Sequence, residues 1–127
     1  MTTRIAPTDT FRTAIKLLFL ATLAVVLLLA LLPVQQLKEF GLIVGFRSDK
    51  LNHLAAFAYL AVLGHFGWPK HKGRLLALLA TLGILIELLQ GLPMIARDVD
   101  ILDWAADCAG LAFGSAVALG ARSLLCR

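Results

Sequence analysis

From Leu17 to Val34 the chain runs eighteen residues without a charged side chain. At 1.5 Å per residue such a run is about the minimum that crosses the hydrocarbon core of a bilayer as one helix. Three more apolar stretches follow, at Leu51–Trp68, Leu75–Pro93 and Ile101–Ala121. Short polar segments rich in Lys and Arg separate them. The mean hydropathy of +0.87 and an apolar content of 60% agree with a membrane protein. The opening run is longer than the apolar core of a signal peptide, roughly 7–15 residues, and no A-x-A site follows it. We therefore expect a retained helix, ended by Pro33.

The sequence predicts an all-α fold: a polytopic membrane protein built as a single domain over 1–127. Its four-transmembrane-helix bundle has helices at about 12–34, 51–68, 74–93 and 101–121. Short connections make consecutive helices antiparallel neighbours. Lys and Arg set the orientation. Eight of them (Arg4, Arg12, Lys16, Lys70, Lys72, Arg74, Arg122 and Arg127) fall on one side, and four (Lys38, Arg47, Lys50 and Arg97) on the other. The positive-inside rule then puts both termini in the cytoplasm. The net charge of +4 forms no basic stripe, so nucleic acid is not an expected partner. Cys108 and Cys126 fall on one predicted helix, about 27 Å apart, too far for a disulfide between them.

Against this background the stretch 87–110 stands out, because it carries five of the eight acidic residues: Glu87, Asp98, Asp100, Asp103 and Asp107. The topology brings them to one membrane face. The second helix begins there with Lys50 and His53, the third ends there with Glu87 and Gln90, and the fourth begins there after Arg97. Asp100, Asp103 and Asp107 fall at i, i+3 and i+7, on one helix face. Glu87 and Gln90 are i, i+3, as are Lys50 and His53. Lipid penalises each of these faces, so they are expected to point at one another. With every group ionised, the acids of that face (the five above with Glu39 and Asp49) outnumber its four bases by three. Either some carboxylates hold protons or a cation sits among them.

Plainer roles compete for several of these residues. Gln90 can act only as a polar tie between helices. Asp98 and Asp100 precede a helix and suit capping. His65 and His71 lie at the opposite end and read as interfacial. Trp68 and Trp104 suit a membrane-interface belt. Gly110 and Gly114 form a GxxxG step, which permits close helix approach and a homodimer.

Three spaced motifs resemble the VanZ-like family of small bacterial membrane proteins: DKLNHLAAFAYLAVL at 49–63, ELLQ at 87–90, and DWAADCAG at 103–110 after an Arg-Asp segment. Lys50, His53, Glu87, Gln90, Arg97, Asp103 and Gly110 match the family pattern. Asp107 stands where that pattern has Asn. The resemblance spans about residues 15–120 and implies a multi-pass protein of the bacterial inner membrane. It also implies a place in the cell envelope, since the family's namesake is associated with resistance to the glycopeptide teicoplanin.

Four functions fit these residues. One is a binding site for an anionic or isoprenoid-linked envelope lipid, with Lys50, Arg47 and Arg97 on phosphate and His53, Glu87 and Asp103 orienting them or taking sugar hydroxyls. The ligand-binding set is then Lys50, His53, Glu87, Gln90, Arg97, Asp103 and Asp107. A second is a membrane hydrolase or transferase with His53, Glu87 and Asp103 as catalytic candidates; a divalent cation would be held by His53, Glu87, Asp103 and Asp107. A third is proton-coupled transport through Glu87 and Asp107. The fourth is a purely structural part.

Overall fold

A computed structural model describes residues 9–33, 49–95 and 99–125. Among these it contains four helices and no strand: α1 Asp9–Leu31, α2 Asp49–Gly67, α3 Lys72–Gln90 and α4 Ile101–Leu125. Prolines explain three of the ends. The residue before a proline is pushed out of the helical region. α1 therefore stops ahead of Pro33, α2 stops at Gly67 ahead of Trp68–Pro69, and α3 stops short of Pro93 rather than reaching it. No breaker follows Ala121, and α4 runs on to Leu125.

α1, α3 and α4 are long and apolar enough to cross a membrane; α2 is not among them. Its nineteen residues include Asp49, Lys50, Asn52, His53 and His65. Yet α2 is the helix at the centre. It packs most extensively on α4 and next on α1, and it contributes Phe57, Leu60, Ala61 and Leu63 to the buried core. α1, the most apolar helix, buries only Phe19. Leu17, Val25 and Leu28 on α1, Leu85 and Leu88 on α3, and Phe113 and Leu119 on α4 are all exposed. Apolar outside and polar inside is the distribution that a hydrocarbon solvent favours. Exposed Thr81 follows the same logic, its hydroxyl donating to the Ala77 carbonyl at 2.8 Å rather than needing water.

Cross-contacts give the relative directions. Gly64 and Gly67 near the end of α2 meet Phe19 and Ile15 near the start of α1, so those two run antiparallel. Gly110 and Gly114 meet Leu54 and Ala58, so α4 runs parallel to α2. Trp104 reaches Ala80 while Asp100 reaches Glu87, so α3 and α4 run antiparallel. The start of α2, the end of α3 and the start of α4 consequently share one end of the bundle, as the sequence predicts.

The α2–α4 seam depends on glycine. A Cβ on Gly110 would meet the Leu54 carbonyl, and one on Gly114 would lie 2.9 Å from the carbonyl carbon and Cα of Ala58. The GxxxG step thus joins two helices of the same chain, and a homodimer would need another surface.

Two residues expected at the interface prove to be ties. Trp104 is half-buried, and its indole N–H donates to the Ala80 carbonyl at 2.9 Å, fastening α4 to α3. His65 is 4% exposed and its Nε2 lies 3.0 Å from Ser115 Oγ. The Ser115 hydroxyl donates to the Leu111 carbonyl at 2.7 Å, so the histidine Nε2–H is the donor to serine. His65 therefore belongs to the α2–α4 contact and not to the bundle surface. Trp68 packs edge-on against Phe19, ring centroids 5.1 Å apart, with the Lys16 ammonium 5.5 Å from its ring centre. Trp104→Phe should keep the packing and lose one hydrogen bond. It is expected to lower stability by about 1 kcal/mol in a denaturant titration of the detergent-solubilised protein.

Candidate functional site

The polar end of the bundle is built from an i, i+3 pair on α2 facing an i, i+3, i+7 row on and just before α4. The Lys50 ammonium donates to Asp100 Oδ2 at 3.1 Å and lies 3.7 Å from Asp103 Oδ1. One turn deeper, His53 Nδ1 lies 2.7 Å from Asp107 Oδ1. The two helices run parallel at the distance their glycine seam allows, so both rungs close together. Small residues at 110 and 114 thus set the spacing of the polar ladder at 50 to 107.

α3 supplies the third side. Glu87 is 1% exposed, and its Oε2 accepts the Asp100 backbone N–H at 3.2 Å. The seat beside it is made by Gly83. A Cβ there would sit 2.8 Å from Asp107 Oδ2 and 3.2 Å from the Trp104 ring. A ring nitrogen of His53 and one carboxylate oxygen each of Glu87 and Asp103 all lie within 4.8 Å of one another. Three carboxylates, those of Glu87, Asp103 and Asp107, therefore meet around one imidazole, with the Lys50–Asp100 pair beside them.

Asp100 has two roles. Its Oδ1 accepts the Leu102 N–H at 2.9 Å, the geometry of a helix N-cap. Its other oxygen holds Lys50, and its own N–H holds Glu87. The Leu102 N–H first, and then the Lys50 ammonium, hold the Asp100 carboxyl below the usual carboxylate range. Reading Asp100 as a cap alone misses that it joins α2, α3 and α4. Its place at the head of the i, i+3, i+7 row was the available signal.

Gln90 is buried but turned the other way. Its side-chain amide donates to the Ala30 carbonyl of α1 at 2.9 Å. This is the inter-helix tie that its position also permitted. Lys50, His53, Glu87, Asp103 and Asp107 are brought together as expected. Arg47, Arg97 and Asp98 lie outside the described residues, as do Lys38, Glu39 and Cys126. Cys108 is a free thiol.

Not every buried oxygen is matched. Glu87 Oε1 and Asp107 Oδ2 have no hydrogen-bond partner among the described residues, and Asp103 Oδ1 has only the longer ion pair to Lys50 at 3.7 Å. Asp107 is fully buried. Buried carboxylate oxygens without donors are costly, and they mark a place where a proton, a cation or a ligand group belongs.

No protein-family model matches the chain, and neither a curated protein nor a solved structure shows detectable similarity to it.

Proposed function

We propose that this chain is a four-span protein of the bacterial inner membrane that binds the phosphate-bearing headgroup of an envelope lipid. The termini are cytoplasmic and the polar end faces outward. The observation that carries the proposal is the convergence of Lys50, His53, Glu87, Asp103 and Asp107 at one end of a bundle that exposes leucine, valine and phenylalanine side chains along its helices. A lipid has matching parts, since its chains lie along the exposed leucines while its headgroup sits at the level of the site. The Lys50 side chain is 49% exposed at the rim and is placed to meet phosphate. The carboxylates below suit hydroxyls of a sugar-bearing headgroup. The motif resemblance to VanZ-like proteins agrees with an envelope role.

Native mass spectrometry of the protein purified from bacterial membranes tests this reading. An anionic, phosphate-bearing lipid should remain bound to the wild type. Lys50→Ala should lower retention about tenfold, as loss of one charge-assisted contact of about 1.5 kcal/mol implies. Release of a lipid-free wild-type chain would overturn the proposal.

The His53–Asp107 pair favours a second reading, a membrane hydrolase or transferase. A carboxylate on Nδ1 fixes the ring and leaves Nε2 for proton transfer, the arrangement of a general base. That reading expects turnover of a radiolabelled lipid in proteoliposomes, abolished by His53→Gln.

A further inference from the structure

We infer that His53, Glu87 and Asp103 hold a divalent transition-metal cation, with Asp107 positioning the His53 ring. This deepens the headgroup reading, on which it rests only where the cation meets phosphate.

Three observations point to it. First, one potential ligand atom from each of the three residues lies within 4.8 Å of the others. Ligands on a sphere of about 2.1 Å bonds stand roughly 3.4 Å apart in a tetrahedral set, so side-chain rotations of about an ångström close the group on an ion. Second, Glu87 is 1% exposed and its Oε1 has no partner among the described residues, while its other oxygen is already bound to the Asp100 N–H. A fully buried carboxylate fixed by one oxygen and unmatched at the other is costly, and a bound cation would remove that cost. Third, Asp107 accepts from His53 Nδ1 at 2.7 Å. A carboxylate behind the imidazole sets the tautomer and leaves the other nitrogen as a lone-pair donor, as in metal sites where a second carboxylate orients the histidine.

The donor set names the metal class. One imidazole nitrogen and two carboxylate oxygens, with coordination positions left over, suit Mn2+ or Zn2+ better than Ca2+, which prefers six to eight oxygens. The charge balance agrees. Among the described residues Lys50 is set against four carboxylates, and a dication would offset two of the remaining charges. A phosphate oxygen could then approach a site that its carboxylates would otherwise repel.

The test uses the full chain in detergent micelles, stripped of metal with EDTA and titrated with Mn2+ alone, free Mn2+ being read by electron paramagnetic resonance. One Mn2+ per chain should bind, and Zn2+ should displace it. Echo modulation from a bound imidazole nitrogen should be present in the wild type and absent in His53→Gln. Glu87→Gln and Asp103→Asn should each abolish saturable binding while circular dichroism keeps its helical signal, and Asp107→Asn should weaken binding by about tenfold. Asp9→Asn, on exposed α1, should change nothing. Lack of stoichiometric binding by the wild type, or binding with no nitrogen modulation, would overturn the cation site. Lipid retention that survives metal stripping would leave the headgroup reading standing and remove the cation from it. Mn2+ binding by a chain that retains no lipid would do the reverse.

Discussion

Gly114→Ala is expected to destabilise the bundle by about 3 kcal/mol, because overpacking a tight contact costs roughly 1–3 kcal/mol and more where backbone is the obstacle. The added methyl would collide with the carbonyl group of Ala58 and lie 2.9 Å from its Cα. Nothing there is a flexible side-chain end, so α2 and α4 must move apart. Separation along this seam also opens the rungs from Lys50 to Asp100 and from His53 to Asp107, so lipid or metal binding should fall with stability. Gly120 on the same helix is the control. A Cβ there meets nothing within 4 Å, and alanine should gain about 0.5–1 kcal/mol from helix propensity. Equilibrium unfolding in mixed micelles with increasing SDS measures both. Equal stability of the two variants would show that the seam is not tight.

Asp107→Ala and Asp107→Asn should behave differently from one another. Alanine removes the acceptor for His53 Nδ1 and leaves a void at a fully buried position. A buried donor without a partner costs about 1–3 kcal/mol, and the void adds to it. Asparagine keeps a carbonyl oxygen at nearly the same place. Its cost should stay below about 1 kcal/mol. Nitrogen-15 spectra of the imidazole separate the explanations. The Nδ1 resonance of His53 should remain protonated in the wild type and in Asp107→Asn, and the tautomers should mix in Asp107→Ala. Identical spectra in all three would remove Asp107 from its positioning role.

Much of this site is legible in the chain. Hydropathy places the helices to within a few residues, and prolines explain three of the remaining offsets. Alternating directions then carry Lys50, His53, Glu87 and Asp103 to one end, because the helical rise fixes how deep each residue lies. What rise cannot fix is rotation about the axis or the identity of the neighbour. Gln90 and Glu87 share a helix face by spacing, yet one turns to Ala30 on α1 and the other to Asp100 beside α4. His65 and Trp104 look interfacial by position and are instead bound to Ser115 and Ala80.

The sequence by itself determined that this is a helical chain with membrane-length apolar segments and an acid-rich end, since burial in lipid forces long apolar runs and tolerates charge only in company. The tertiary structure decided which charges keep company. It made α2, the most polar helix, the centre of the bundle. It used Gly110 and Gly114 within the chain rather than between chains, and it turned Asp100 from a cap into a junction. The physical reason is contact distance. A glycine seam lets two parallel helices approach until Lys50 and His53 reach carboxylates fifty and more residues away, a pairing that follows from packing and not from any local pattern.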